Sequence, residues 1–285
     1  MIKFLPLIFI FLWSSAFITT KPIVDYSDPF AALSFRFFIV AMGFYFFSLF
    51  YKKKILVDAK NILPSISTGI LFHGFYLGGV FYSISIGLPT GIAALIVTLQ
   101  PVLTNALAGP ILNETITWRK WLGVLLGFFG ASLVLGFDIG KSLPLEGIIA
   151  VVVSLIAVTC ATLWQKKISN KLPLSVSNMY QAIGGFLFHL LIIIFFIQKP
   201  FISFSTTFVI AISHQILLVS FGAFSILMFL IKNNSASKTV SVFFLIPPTS
   251  AIMAWIFLGE NLDPIDIFGF IVATLGVYIA TREKN

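Results

Sequence analysis

Arg36 is the one charged residue that falls firmly inside an apolar run of this chain. A guanidinium in such a place offers a planar fork of donors for a carboxylate or phosphate, and so a counter-charge for an anionic solute. The same side chain can instead snorkel to the edge of the apolar layer, or bond backbone carbonyls near Asp25 or Asp28. Three histidines, His73, His189 and His214, could donate and accept hydrogen bonds or move a proton. Their spacing is not that of a metal site. His73 is the strongest of the three for contact with a solute, with Tyr76 close behind it. Pro101 and Pro247-Pro248 sit in the middle of apolar runs, where each removes a backbone donor and kinks its helix. Beside them stand Gln100, Thr104 and Asn105 in one run and Thr249 and Ser250 in the other, polar groups at the same depth as the freed carbonyls.

Aromatic side chains could line a cavity and take up a cationic or aromatic solute. Trp13, followed by Ser14 and Ser15, is the most suggestive cluster; Trp164, Tyr82, Tyr180 and Trp255 are further candidates. Tyr180-Gln181 falls close to the position that Phe35-Arg36 holds in the first half, with a neutral amide in place of the guanidinium. Substrate contact is thus expected from Trp13, Ser14, Arg36, His73 and Tyr76 in one group and Gln100, Asn105, Trp164, Gln181 and Thr249 in another. Hinges or cavity walls are expected at Pro101, Pro247 and Pro248. Glu114, Glu260 and Asp263 stand at the ends of apolar runs, where helix capping is the expected role. There is no HExxH and no GxSxG, and Cys160 is the single cysteine. Nucleophilic or metal catalysis therefore lacks its parts, and neither an enzyme activity nor a metal or cofactor is expected.

The elements that position these residues follow from composition. The 285 residues are 59% hydrophobic and 10% charged, with mean hydropathy +1.05 and 33 phenylalanines. A water-facing surface needs far more charge. Apolar stretches of about 20 residues recur along the chain, the length that spans a hydrocarbon core. In lipid such stretches must be helical, and the alternation of a β-barrel is absent. Ten spans are expected, at about 4–20, 29–51, 62–86, 90–112, 119–136, 146–165, 174–197, 206–231, 236–258 and 265–281. The first is read as a spanning helix rather than a cleaved signal peptide, since it has a partner near 147–167. With the N-terminus placed in the cytoplasm, 14 Lys and Arg fall on the inner side against three (Lys21, Lys141 and Lys199) on the outer, with Arg36 inside a span. That asymmetry argues for both termini inside. The net charge of +8 is a topology signal of short loops, and no nucleic-acid partner is expected.

A fixed offset of 146 residues relates the two halves. Pro101 pairs with Pro247, Glu114 with Glu260, Gly123 with Gly269, Gly130 with Gly276, and Lys21 with Lys167. The expected fold is an all-α membrane protein of ten transmembrane helices in two five-helix repeats, 1–139 and 140–285. Five is odd, so the second copy enters the membrane from the opposite side, and the halves are related by a two-fold axis in the membrane plane.

Ordered motifs then carry a resemblance. Leu258-Gly259-Glu260 with Gly269 and Gly276-Val277 resembles the repeat signature of the EamA branch of the drug/metabolite transporter (DMT) superfamily. So does the first-half copy Leu112-Asn113-Glu114, Thr117, Gly123 and Gly130, with Asn113 where the pattern has Gly. Leu12-Trp13-Ser14-Ser15-Ala16-Phe17, Asp28-Pro29 and Arg36-Phe37 match as well. The resemblance implies helices 1–4 and 6–9 around a central cavity, with helices 5 and 10 as scaffold. It also implies transport of a small metabolite, amino acid or drug, often outward, by alternating access. A lipid-carrier flippase or an importer of the same superfamily is the alternative, and monomer and homodimer both remain open. No Asp or Glu lies firmly mid-membrane, so exchange or uniport is at least as well supported as proton antiport. Richness in Lys, Ile, Asn and Phe points to a bacterial source and hence an inner membrane.

Overall fold

The computed structural model describes residues 4–135, 143–258 and 263–282. Among them are eleven continuous helical stretches and no strand longer than one isolated bridge. They are α1 (Leu5–Asp25), α2 (Pro29–Phe50), α3 (59–85), α4 (Thr90–Val97), α5 (Gln100–Leu112) and α6 (Trp118–Leu135). The rest are α7 (Leu145–Ile168), α8 (Leu174–Phe196), α9 (Thr206–Asn233), α10 (236–258) and α11 (Pro264–Thr281). Six, namely α1, α2, α7, α8, α9 and α11, are long and apolar enough to cross a membrane. The outer surface is apolar, with Phe50, Trp118 and Phe196 largely exposed, whereas Ser14, Arg36, Gln100 and Gln181 are buried. This inversion of the soluble pattern fits a multi-pass membrane protein.

The ninety-to-112 run departs from the expected single span. It is two helices, because Pro101 has no N–H and its ring excludes the carbonyl four residues back. α4 ends at Val97, Thr98 Oγ1 donates to the Ala94 carbonyl at 2.7 Å, and α5 begins at Gln100. At the matching proline, Pro247, α10 is disturbed in the same place: Val242–Leu245 winds as a 3₁₀ turn before Ile246–Leu258 resumes. A second matched pair lies in α3 and α9. Ile70–Leu77 and Gln215–Ala223 are both π-helical, with α-helix on either side. Such widened turns are frequent at functional sites.

Local chemistry sets the ends. Asp28 caps α2, accepting from the Phe30 and Ala31 amides at 2.9 Å, with Pro29 at the first helical position. Thr117 accepts from the Lys120 amide at 3.4 Å to open α6. Asp263 caps α11, and its own amide donates to Asp266 at 2.8 Å. Glu260 lies outside the described residues. Glu114 does cap a helix, but one distant in sequence. Its carboxylate accepts from the Ala236 and Ser237 amides at 2.6 and 3.3 Å at the start of α10, where the helix dipole favours an anion. Asn113 ends α5 at φ 56°, left-handed, which explains why the motif carries Gly at this point and why Asn, the next most tolerant residue, serves. Lys166 Nζ donates to the carbonyls of Ile231 (3.0 Å), Lys232 (3.3 Å) and Asn234 (2.5 Å), closing the C-terminal end of α9. At the opposite end of the bundle, Ser27 and Ile202 form the one antiparallel bridge.

The glycine pairs of the sequence meet each other. A Cβ on Gly276 would stand 2.3 Å from the Gly127 nitrogen and 2.6 Å from the Gly123 carbonyl oxygen. One on Gly130 would stand 2.3 Å from the Ala273 nitrogen. α6 and α11 therefore touch backbone to backbone, as small residues permit in lipid. Gly276→Leu is expected to cost at least the ~1–3 kcal/mol of an overpacked contact, because main chain cannot step aside. Gly109→Ala has its nearest neighbour at 3.7 Å. It is expected to gain about 0.5–1 kcal/mol from the helix-interior preference. Thermal unfolding of the detergent-solubilised protein followed by tryptophan fluorescence checks both signs; equal midpoints for the two variants would refute the contact.

Candidate functional site

Two connected cavities occupy the middle of the bundle. A vestibule of about 570 Å³ is walled by Ile18, Lys21 and Pro22 of α1, Thr90, Ala94 and Val97 of α4, and Ile246, Pro247, Ser250 and Ala251 of α10. It shares Trp13, Phe17 and Tyr76 with a narrow slot of about 40 Å³. Phe72, His73, Phe81, Val219 and Phe224 enclose the slot, with Arg36, Thr20, Gln215 and Ser220 as its polar groups. Mostly apolar walls with few placed polar groups are the usual make-up of a small-molecule site. Lys21, at the vestibule, is paired with Asp25 one turn along α1.

Each wall has a reason to be where it is. Trp13 is held by Phe9 (ring centroids 5.3 Å apart), Phe243 (6.0 Å) and Phe72 (6.2 Å, edge to face), so α1, α3 and α10 converge on one aromatic group. Phe72 in turn meets Tyr76 edge to face at 5.4 Å. His73 lies between Phe37 at 4.3 Å and Phe224 at 4.5 Å. Its Nδ1 is buried without a hydrogen-bond partner among the described residues.

Arg36 is the chemical centre. It is 3% exposed. Nε donates to Ser220 Oγ at 2.9 Å and Nη1 to Gln215 Oε1 at 2.6 Å, both on the π-helical stretch of α9. Phe37 packs under the guanidinium at 5.2 Å. Neither of the expected alternatives holds: the side chain does not snorkel outward, and it bonds no carbonyl near Asp25 or Asp28. The reason is that the widened turn of α9 brings an amide and a hydroxyl to it, so the inward rotamer satisfies the fork. No carboxylate lines either cavity or forms an ion pair with Arg36 among the described residues. Gln215 is itself locked to α1, donating from Nε2 to the Ala16 carbonyl and Thr19 Oγ1 at 3.0 Å and to Thr20 Oγ1 at 3.3 Å.

Of the residues expected at the site, the structure brings together Trp13, Arg36, His73, Tyr76 and Pro247. Pro101 and Pro248 are buried beside their breaks, and Pro248 borders a lesser cavity near α11. Ser14 is turned to α10 and donates to the Ile246 carbonyl at 3.2 Å. Gln100, Asn105 and Gln181 are buried but border neither main cavity. Gln100 donates to Thr162 at 3.0 Å, Asn105 accepts from Ser237, and Gln181 donates to Gln165 at 3.1 Å. Thr249 is half-buried away from both cavities. Trp164 is 44% exposed: it continues the outward stripe Ile149, Val153, Ile156 and Cys160 at helical spacing, so its ring faces out of the bundle. His189 Nε2 donates to the His73 carbonyl at 3.0 Å, and His214 meets Ser15 at 3.0 Å, both packing roles. Gln215 and Ser220 went unnoticed in the sequence. The signal was there in Ser213-His214-Gln215, a polar run inside a 28-residue apolar span.

Known proteins agree with this architecture. A solved crystal structure superposes with TM-score 0.80 over 98% of this chain and 97% of its own, at 17% identity. A probable amino-acid metabolite efflux pump of Salmonella typhimurium is 22% identical over 97% of this chain and 93% of its own. An S-adenosylmethionine/S-adenosylhomocysteine transporter of Chlamydia muridarum is 23% identical over 96% and 89%. The EamA-like transporter family model matches residues 2–136 and again 145–282. With both halves of the chain matched by that model, the protein belongs to the EamA-like transporter family.

Proposed function

We propose that this chain exports a small amphipathic metabolite bearing a carboxylate, an amino acid or close relative, across a bacterial inner membrane by alternating access. Two inverted five-helix repeats, 1–139 and 140–285, rock about the site, with both termini cytoplasmic; α4 and α5 together make the fourth of ten spans. One observation carries the reading. Arg36 is buried among aromatic rings with neutral partners only among the described residues, so a unit positive charge awaits a counter-ion in an apolar slot. A solute with a carboxylate and an apolar body supplies both. His73 Nδ1, unpartnered at the same slot, is available to its second polar group. The names of the two relatives support this choice, since amino acids and S-adenosylmethionine share an α-amino carboxylate.

The test is counterflow in proteoliposomes loaded with phenylalanine, then with a panel of other amino acids, nucleosides and amines. Protein-dependent exchange of carboxylate-bearing members is the expected result. Exchange confined to amines or nucleosides without a carboxylate would overturn the substrate class, and no exchange by any member would remove the transport reading.

A further inference from the structure

We propose that a second vestibule, opening on the opposite face of the bilayer, lies closed between α5, α7 and α10, with Gln100, Pro101, Thr104 and Asn105 as its wall. The idea rests on the inverted-repeat reading above. The α10 wall of the open vestibule is Ile246, Pro247, Ser250 and Ala251. Moving each back by the repeat offset of 146 (247 − 101) gives 100, 101, 104 and 105. When two inverted halves exchange conformations, the α5 face must become the wall of the other vestibule.

A second observation, independent of the repeat, points to three of these four residues. Gln100 Oε1, Thr104 Oγ1 and Asn105 Nδ2 are buried without a hydrogen-bond partner among the described residues. Gln100 and Thr104 are 0% exposed and Asn105 is 1%. Orphaned polar atoms in an interior need an explanation, and hydration in another conformation is one. Asn178 Oδ1 and Gln181 Oε1 on α8 are orphaned as well. The closure is visible. Gln100 donates to Thr162 on α7, and Ser237 at the start of α10 donates to Asn105. The offset also carries Thr90 and Ala94, the α4 wall of the open vestibule, onto Ala236 and Val240 of α10, which flank Ser237. The two vestibules differ in chemistry. Where the open one presents Ile246 and Ala251, the closed one presents two amides, suited to a hydrated zwitterion entering or leaving the site.

The test begins from a Cys160→Ser background, because Cys160 is exposed. Thr104→Cys and Ser250→Cys are each treated with a membrane-impermeant methanethiosulfonate from either face of oriented vesicles. Ser250→Cys is expected to react from the face that carries loops 26–28 and 197–205. Thr104→Cys is expected to react at least tenfold faster from the other face, and Asn105→Cys serves as a second probe. Oxidative cross-linking of an Asn105→Cys/Ser237→Cys pair should stop phenylalanine exchange and leave Ser250→Cys reactive, with exchange restored by a reductant. Failure of both inner probes to react from either face overturns the vestibule, as does undiminished exchange in fully cross-linked protein. Sided labelling of Thr104→Cys without phenylalanine exchange upholds the vestibule and removes only the amino-acid reading.

Discussion

Arg36→Gln is expected to weaken binding of a carboxylate-bearing solute by about 10- to 150-fold. The range is the ~1.5–3 kcal/mol of a hydrogen bond to a charged group, at about 1.4 kcal/mol per tenfold. The shortfall should be selective. Phenylalanine should lose affinity, while phenylalaninamide, which keeps the ring and the amine but has no carboxylate, should bind wild type and variant alike. Folding should not suffer, because glutamine retains an amide for Ser220 and removes a charge from an apolar interior. Titration of both ligands by the shift in thermal unfolding midpoint reads affinity and stability in one experiment. Equal loss for both ligands would mean that Arg36 shapes the slot without recognising the solute.

Gln215→Glu reverses the usual link between stability and function. A carboxylate would then sit where Oε1 now accepts from Nη1 at 2.6 Å, and the guanidinium would gain an internal partner. An uncompensated buried charge costs on the order of 3–5 kcal/mol, and an adjacent acid recovers part of that. Glutamate gives up the Nε2 donation to the Ala16 carbonyl, about 0.5–1.5 kcal/mol, which the new ion pair outweighs, so the variant is expected to unfold at higher temperature and to bind phenylalanine at least tenfold more weakly, about as poorly as Arg36→Gln. The loss of affinity with a gain of stability separates charge cancellation from misfolding. Amines lacking a carboxylate should lose nothing, which the same titration with phenethylamine measures. A variant that is more stable and still binds phenylalanine as wild type does would show that the solute's anion docks elsewhere. The neutrality of Gln215 is thus the second half of the specificity device: it orients the fork through two helices while leaving its charge uncancelled.

Much of the framework was legible because lipid leaves the backbone few choices. Asp263 was read as a cap from its place before an apolar run, and it does stand at the start of α11 with its amide bonded to Asp266, since capping depends on a few adjacent residues. Gly123, Gly130, Gly269 and Gly276 stood out as repeat pairs, and only the fold revealed that they meet each other across α6 and α11. Glu114 was recognised as a cap, but its target, 122 residues away, was not legible, because a long-range hydrogen bond leaves no local pattern. Pro101 was legible as an interruption and yet underestimated: a kink was expected, and the chain breaks into α4 and α5.

Side-chain direction was the weak point, and it decides a site. Trp164 and Trp13 look alike in a sequence that is 16% aromatic, but one faces out of the bundle and the other roofs the slot. Gln100, Asn105 and Gln181 were singled out for polarity at the right depth, and they do lie in the interior, though they border neither main cavity.

The sequence by itself determined the membrane class of the protein, its all-helical make-up, its family and the presence of one buried cation. Those follow from hydropathy, helix-end chemistry and a repeated spacing, which are properties of short windows of chain. Only the tertiary structure decided that Gln215 and Ser220, some 180 residues away, hold that cation without neutralising it. That depends on π-helical turns in α9 rotating two side chains toward α2, and the energy of such a turn is settled by packing between helices rather than by the residues that form it.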